Sequence, residues 1–120
     1  MDISVVIPLY NEAESLPELM AWIDRVMKEN NFSYEVVMID DGSLDNSWEV
    51  VCTLRKDYPV LKGIRFRRNF GKSAALHTGF QAVRGKVVVT LDADLQDSPD
   101  EIPELYNMMM EGDYLSLIHI

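Results

Sequence analysis

Three absences in the 120-residue sequence narrow the class of protein before any motif is considered. A single cysteine, Cys52, excludes an internal disulfide and fits a reducing compartment. No run of about 18 apolar residues is present, so no segment predicts a membrane-spanning helix. The apolar run near the N-terminus is short and has no basic flank, which is not the pattern of a signal peptide.

Positive charge is also scarce, with 11 Lys and Arg residues against 20 Asp and Glu residues and a formal net charge of −9. An acidic chain repels polyphosphates at long range, so we do not expect it to bind nucleic acid. A phosphate-bearing ligand would need a local countercharge or a metal ion. The hydrophobic fraction of 48% is that of a globular protein, and the length predicts one domain.

Segments whose apolar residues have the spacing of a strand alternate along the chain with segments whose apolar residues have the spacing of a helix. Short runs rich in β-branched residues predict four strands, at residues 3–9, 34–39, 60–66 and 87–91. Apolar residues at helical spacing follow each strand, and Ser15 with Glu18 forms a capping-box pattern before the first helix. This alternation predicts an α/β fold with a Rossmann-like parallel sheet, flanked by helices and joined by right-handed crossovers.

A polar turn follows each of the four predicted strands. Because the carboxyl ends of parallel strands meet at one edge of a sheet, the four turns predict a ligand site at that edge. The turns are residues 8–12, 40–43, 67–72 and 92–97.

Asp92 and Asp94 follow the fourth predicted strand. Two carboxylates placed together repel each other unless a cation neutralises them. Mg²⁺ and Mn²⁺ prefer oxygen ligands and often bridge to phosphates, and Gln96 offers a further oxygen. These residues predict a divalent metal site, although a solvated loop with helix-capping aspartates has the same pattern.

Two other turns contain residues that suit a nucleotide. Tyr10 can pack against a base and Glu12 can hydrogen-bond to it, although an ordinary strand exit with a structural tyrosine has the same sequence. A carboxylate of the turn that contains Asp40 and Asp41 can accept hydrogen bonds from a base or a ribose, as acids after the second strand do in Rossmann folds. The alternative is a simple turn in which Gly42 supplies a positive φ.

Lys72 belongs to a basic cluster together with Arg65, Arg67 and Arg68. Cations near a predicted helix N-terminus suit an anionic ligand, although a solvated basic face is equally compatible. Gly71-Lys72-Ser73 matches the end of a P-loop, but that motif requires glycine where Phe66 stands. No G-x-G-x-x-G follows the first strand, which disfavours a dinucleotide dehydrogenase.

Taken together, four segments resemble the family 2 glycosyltransferases, which have the GT-A fold. The segments are residues 5–12, 37–43, 68–76 and 91–97, and the likeness covers residues 2–112. Asp-Ala-Asp-Leu-Gln-Asp at 92–97 and Arg-Asn-Phe-Gly-Lys at 68–72 are typical of one subgroup. That subgroup contains the dolichol-phosphate mannose synthases and the bacterial undecaprenyl-phosphate glucosyl- and aminoarabinosyl-type transferases.

The resemblance implies transfer of a hexose from a UDP- or GDP-sugar to a polyprenyl phosphate, dolichyl or undecaprenyl, with inversion at the anomeric carbon. It implies that Mg²⁺ or Mn²⁺ is the cofactor, held by Asp92, Asp94 and Gln96, and that Asp92 and Asp94 are catalytic. It also implies a set of residues that bind the nucleotide sugar: Pro8, Tyr10, Glu12, Asp41, Lys72 and Asp92.

Members of this family continue beyond the length of this chain, with an acceptor-side region and often membrane helices. We therefore expect residues 1–114 to be an incomplete donor-binding domain, residues 115–120 an atypical tail, and the chain an N-terminal fragment. The resemblance places the full-length parent at the cytoplasmic face of a membrane, which its missing C-terminal region would contact. A sheet of four strands would leave an exposed edge and an apolar face.

Two other functions fit parts of the pattern. A Mg²⁺-dependent phosphoryl-transfer or phospho-acceptor domain also clusters aspartates at strand ends. In receiver domains the acidic pair follows the first strand, whereas Asp40 and Asp41 follow the second. A non-catalytic nucleotide-binding module would keep the same donor-side residues.

Overall fold

A computed structural model of the chain describes residues 1–112 and 117–119. The strands are β1 (Ile3–Leu9), β2 (Tyr34–Asp40), β3 (Leu61–Arg65), β4 (Val87–Thr90) and β5 (Leu117–His119). The helices are α1 (Leu16–Glu29), α2 (Ser47–Asp57), α3 (Lys72–Gln81) and α4 (Ile102–Gly112), the last preceded by a 3-10 turn at Pro99–Glu101. The strands form one sheet in the order β3-β2-β1-β4-β5, and all neighbours are parallel.

The predicted parallel α/β arrangement is confirmed, with one strand more than the sequence indicated. Residues 117–119, within the segment interpreted as an atypical tail, pair with β4 as the edge strand β5. A strand of three residues is too short to show a period in the sequence. The proposed division at residue 114 falls in 113–116, outside the described residues, and stays a prediction.

The helices pack on both faces of the sheet. Helices α1, α2 and α4 share one face, where their apolar side chains join those of all four long strands in the larger core. Successive strands are added in one direction from β1 to β3, and the chain then returns past β1 to form β4. A right-handed connection from β3 to β4, which runs in the opposite direction to the earlier connections, places α3 on the opposite face.

Helix α3 lies unusually close to the sheet at Gly79. A Cβ at this position would come within 2.5 Å of Val6 Cγ1 and 2.8 Å of Ile39 Cδ1, so only glycine allows this approach. Around the contact, several apolar side chains are only partly buried among the described residues: Ile64, Phe66, Leu76, Phe80, Val83 and Val88. This agrees with the expected incompletely covered apolar face.

The capping-box prediction for α1 is wrong. Ser15 stands at the N-cap but has helical backbone angles, φ −85° and ψ −24°, and its side chain makes no capping hydrogen bond. A capping side chain needs an extended backbone at that residue to reach the amides of the first turn. The Ser15 hydroxyl donates instead to the carbonyl oxygen of Ala93, 2.5 Å away.

A buried carboxylate joins several segments at the amino end of the sheet. Glu35 on β2 is 2% exposed, and its Oε2 accepts hydrogen bonds of 2.6 Å from Ser4 Oγ and from the Arg84 amide. The Lys62 ammonium lies 2.9 Å from Oε1. Burial by itself would raise the pKa of Glu35, but the hydrogen bonds from Ser4, Lys62 and Arg84 outweigh it and hold the pKa below 4.5.

We predict that Glu35→Gln lowers the free energy of unfolding at pH 7 by about 1 to 3 kcal/mol, because hydrogen bonds to a charged group are lost. A depressed folded-state pKa stabilises the fold above the unfolded value and ceases to do so as pH falls through the folded value. The difference between wild type and variant should therefore shrink below pH 4.5.

Urea unfolding over a range of pH measures this difference, with Glu29→Gln on the exposed end of α1 as the control. A gap between wild type and Glu35→Gln that is the same in acid as at pH 7 would contradict the role of the charge.

Candidate functional site

A cavity of about 230 Å³ opens at the carboxyl edge of the sheet, between the ends of β1 and β4. Strand β1 pairs with β2 on one side and with β4 on the other, so the strand order reverses there. At such a switch point the loops diverge to opposite faces and leave a crevice for a ligand. The cavity is lined by Pro8, Leu9, Tyr10, Glu12, Lys72, Asp92, Ala93 and Asp94.

The structure brings six of the eight predicted site residues into this one cavity: Pro8, Tyr10, Glu12, Lys72, Asp92 and Asp94. The other two, Asp41 and Gln96, do not line it. Gln96 is exposed on the loop after β4, where its backbone amide donates to Asp94 Oδ1 at 3.2 Å. Its predicted role as a metal ligand stays a prediction.

The basic and acidic sides of the cavity meet in one ion pair. Lys72, the first residue of α3, places its Nζ 2.6 Å from Asp92 Oδ1. The two side chains are 56% and 36% exposed, so solvent screens the pair and it adds little to stability. The ion pair instead fixes the position of the Lys72 ammonium group, which it holds beside the carboxylates that follow β4.

Two hydrogen bonds and one positive φ determine the path of the loop after β4. The Asp92 amide donates to Asp97 Oδ2 at 2.9 Å, and the Ala93 carbonyl accepts the hydrogen bond from Ser15. Leu95 has a φ of +67°, which turns the chain back towards Asp97. Ser15 also lies 3.1 Å from Glu12 Oε2, so one hydroxyl connects the loop after β1 with the loop after β4.

The loop after β1 is tied to the loop after β2 through Asn11. Its side-chain Oδ1 accepts hydrogen bonds from the amides of Leu44, at 2.8 Å, and Asp45, at 3.3 Å. Asn11 itself has a φ of +54°, a left-handed conformation that asparagine tolerates. The turn leaves the neighbouring Tyr10 ring 41% exposed at the cavity.

Asp45 helps to start α2 beside this turn. Its Oδ1 accepts hydrogen bonds from the Ser47 hydroxyl and amide, at 2.6 and 2.9 Å. The side-chain hydrogen bond from Ser47 is the main cause that holds the pKa of Asp45 below its usual value. The Ser47 hydroxyl also accepts from the Glu12 amide at 3.0 Å, which anchors a cavity residue to α2.

Asp41 is 5% exposed and accepts hydrogen bonds from the amides of Phe70, at 2.7 Å, and Gly71, at 3.1 Å. The carboxylate therefore holds the loop that leads into Lys72, and its predicted contact with the nucleotide stays a prediction. Gly42 follows with a φ of +75°, and a Cβ there would lie 2.2 Å from the Arg68 carbonyl carbon. The burial of Asp41, and of Asp40 at 1% exposure, disfavours a phospho-acceptor at this pair.

Sequence reasoning missed the residues that position the site rather than line it. The Ser15–Ala93 hydrogen bond joins residues 78 positions apart, and no local sequence pattern predicts such a contact. The turn at Asn11 could have been predicted from the sequence, since an asparagine directly after a strand often adopts positive φ.

The oxygen chemistry of the loop after β4 suits a hard divalent cation, which prefers carboxylate and amide oxygens. Within the described part of the chain, no group of three or more His, Cys, Asp or Glu side chains is arranged to hold an ion. Mg²⁺-type ions are commonly bound through one or two carboxylates plus substrate phosphates. The pair Asp92 and Asp94 therefore fits an ion that is shared with a phosphorylated ligand.

The fold and the site define a Rossmann-like α/β domain with an acidic and aromatic ligand cavity at its switch point. The chain belongs to glycosyl transferase family 2, whose family model matches residues 4–119. In residues 1–112 and 117–119, no helix is long and apolar enough to cross a membrane.

Curated relatives share the greater part of this chain. The undecaprenyl-phosphate 4-deoxy-4-formamido-L-arabinose transferase of Pseudomonas fluorescens is 45% identical over 111 residues, which are 92% of this chain and 33% of that protein. The transferase of the same name from Aeromonas hydrophila is 43% identical over 111 residues, with 92% and 34% covered. The chain thus spans about a third of the length of these relatives.

Solved structures confirm the expected GT-A fold. A mannosyltransferase from Pyrobaculum calidifontis, in complex with GDP-Man and Mn²⁺, has a TM-score of 0.76 at 27% identity, with 89% of this chain and 32% of that chain covered. TarS from S. aureus in complex with UDP-GlcNAc has a TM-score of 0.71 at 24% identity, with 92% and 32% covered. The second likeness concerns the fold alone.

We predict that Ser15→Ala loosens the loop after β4, because the Ala93 carbonyl loses its hydrogen bond. The free energy of unfolding should fall by about 1 kcal/mol, and amides of residues 92–97 should exchange with deuterium faster. Ser33→Ala is the matched control, since its hydroxyl accepts a hydrogen bond from the Asp2 amide far from the cavity. Unchanged exchange of residues 92–97 in Ser15→Ala would contradict this role.

Proposed function

We propose that this chain is the donor-binding part of a glycosyltransferase that moves a hexose from a nucleoside diphosphate to a polyprenyl phosphate. The observation that carries the proposal is one cavity in which an exposed tyrosine, a lysine and the Asp92–Asp94 pair meet. The names of the relatives support the acceptor, since they are undecaprenyl-phosphate sugar transferases. The GDP-Man and Mn²⁺ bound to the mannosyltransferase support a nucleotide sugar with a divalent ion.

Different lining residues suit the two parts of such a donor. Pro8 and the exposed Tyr10 ring offer apolar surface for the base, and Glu12 can accept a hydrogen bond from a base N–H group. The diphosphate would lie beside Lys72 and Asp92, which form an ion pair in the same cavity. We assign Asp41 to the base as well, in addition to its hydrogen bonds to the loop before α3.

The charges in the cavity support a requirement for a metal. Lys72 is already paired with Asp92, so Asp94 and Glu12 leave the cavity with an excess of negative charge. An anionic diphosphate entering alone would be repelled. In this proposal Mg²⁺ or Mn²⁺ would be held by Asp92, Asp94 and Gln96, and would offset the charge that develops on the departing phosphate.

The step that joins the acceptor to the sugar needs no general base from the protein. A phosphate oxygen of the acceptor forms the new bond to the anomeric carbon as the bond from that carbon to the nucleoside diphosphate breaks, which inverts the configuration. A phosphate monoester is largely ionised near pH 7, because its second pKa is about 6, so no residue is needed as a general base. Lys72 lines the same cavity and would stabilise the leaving diphosphate.

The acceptor in this proposal is a membrane lipid. The longer protein that contains this chain would therefore act at a membrane surface, which it would contact through regions outside residues 1–120. The alternative of a non-catalytic nucleotide-binding part would share the donor cavity. It is distinguished by transfer to a short-chain polyprenyl phosphate, measured with a longer chain that contains this one.

We predict that Asp94→Asn removes the metal-dependent part of nucleotide binding and leaves the fold intact. Asparagine keeps an oxygen for the Gln96 amide, so the loop is preserved while the charge is lost. Since even outer-shell partners of a metal contribute about tenfold or more to affinity, we expect a loss of at least about tenfold.

Calorimetric titration of UDP and of GDP, each with Mn²⁺ and with a chelator, measures this loss and identifies the base. Glu101→Gln is the control, because Glu101 is exposed nearby and does not line the cavity. The assignment of Asp94 fails if Mn²⁺ increases nucleotide affinity equally in Asp94→Asn and wild type.

We predict that Tyr10→Ala weakens binding of the nucleoside diphosphate roughly 5- to 150-fold, because stacking of a base on an aromatic ring contributes about 1 to 3 kcal/mol. Binding of Mn²⁺-pyrophosphate, which has no base, should not change. The same calorimetric titration with both ligands separates the two effects, and an equal loss for pyrophosphate would exclude a base contact.

A further inference from the structure

Three arginines near the donor cavity have no part in the proposed transfer. Arg65 ends β3, Arg67 and Arg68 follow it, and all three side chains are exposed. The three ion pairs among the described residues are all made by lysines, so none of these guanidinium groups lies beside a carboxylate. Arginines without acidic partners are unexpected in a chain with a net charge of −9.

The arginines belong to a segment of the opposite charge to the rest of the chain. Between Tyr58 and Leu91 there is no Asp or Glu, while seven of the 11 Lys and Arg residues lie there. The carboxyl end of β3 is therefore a local concentration of positive charge, with three arginines beside the buried Asp40 of the neighbouring strand. Such a region attracts anions even when the whole molecule repels them.

A cleft of about 260 Å³ lies between this end of β3 and the turn after β2. It is lined by Gly42, Ser43, Arg65, Phe66 and Arg67, none of which lines the donor cavity. Strands β1 and β2 separate β3 from β4 in the sheet, so the cleft and the Asp92–Asp94 pair lie on either side of the loops that follow β1 and β2.

Aromatic rings hold two of the guanidinium groups in position. Arg65 lies over the ring of Trp48, with Cζ 5.8 Å from its centroid, and Arg68 lies 4.6 Å from the centroid of Phe70. Stacking occupies the face of a guanidinium and leaves its N–H edge free to donate. Phe70 packs edge-on against Phe66 at 5.6 Å and remains 54% exposed. Cationic edges and apolar rings thus border the same cleft.

We propose that this cleft binds a phosphate group that carries an apolar substituent. Arg65 and Arg67 supply forked N–H donors that match phosphate oxygens, and the Ser43 hydroxyl can donate a further hydrogen bond. Phe66 and the exposed Phe70 provide the surface for the apolar part. The phosphate comes either from a soluble organic phosphate or from a phospholipid headgroup, and the cleft faces the same edge as the donor cavity.

Two probes test the site and distinguish the two sources. Phenyl phosphate is titrated into the chain by calorimetry, and the chain is sedimented with phosphatidylcholine vesicles that contain or lack phosphatidylglycerol. Binding of phenyl phosphate that is tighter than that of inorganic phosphate indicates a soluble ligand. Sedimentation that requires phosphatidylglycerol, with no phenyl phosphate binding, indicates a headgroup.

Arg67→Ala should weaken whichever probe binds by at least about tenfold, because it removes charge-assisted hydrogen bonds. Arg55→Ala is the matched control, an exposed arginine on α2 outside the cleft. Arg67→Ala is preferred to Arg65→Ala, which would also lose the Trp48 contact and could unfold the edge of the sheet.

The proposal is overturned if neither probe binds, or if Arg55→Ala weakens binding as much as Arg67→Ala, which would indicate a general charge effect. It is also overturned if Arg67→Ala only abolishes self-association, since an acidic surface of a second copy would then be the partner. Mn²⁺-dependent nucleotide binding should be unchanged in Arg67→Ala, so a failure here is separable from a failure of the donor site.

Discussion

The position of β1 is the constraint on which the rest of the structure depends. The chain adds β2 and β3 on one side of β1 and then returns to add β4 on the other side. Right-handed crossovers therefore place α1 and α3 on opposite faces, and the loops that follow β1 and β4 part at the carboxyl edge. Every residue of the donor cavity lies at the end of β1, on one of these loops or at the start of α3.

Hydrogen bonds between the loops fix the positions of the residues around this opening. Ser15 connects the loop after β1 to the loop after β4, Asn11 connects the loops after β1 and β2, and Asp41 holds the loop before α3. Each bond uses a side chain from one loop and a backbone group from another. Of these three residues Ser15 is half-buried and Asp41 is buried, whereas the lining residues Tyr10, Lys72 and Asp94 are exposed and remain open to a ligand.

The distribution of charge supports the two proposed phosphate sites at this edge in different ways. The donor cavity is acidic apart from Lys72, and it suits a diphosphate that arrives with a divalent cation. The cleft beside β3 is lined by Arg65 and Arg67, which have no ion pair among the described residues and suit a phosphate directly.

The sequence by itself determined the alternation of strands and helices, the edge at which the site lies and six of the residues in its cavity, because periodicity and strand-end turns are local signals. The sequence wrongly predicted a capping role for Ser15, because the capping pattern is local whereas the hydrogen bond that Ser15 makes is to a distant residue. It also did not reveal β5, because three residues are too few to show a period. Only the tertiary structure decided that Asp41 holds a loop and that Lys72 meets Asp92, since these contacts join residues 29 and 20 positions apart. Such pairings depend on how the sheet brings distant turns together, which no stretch of sequence contains.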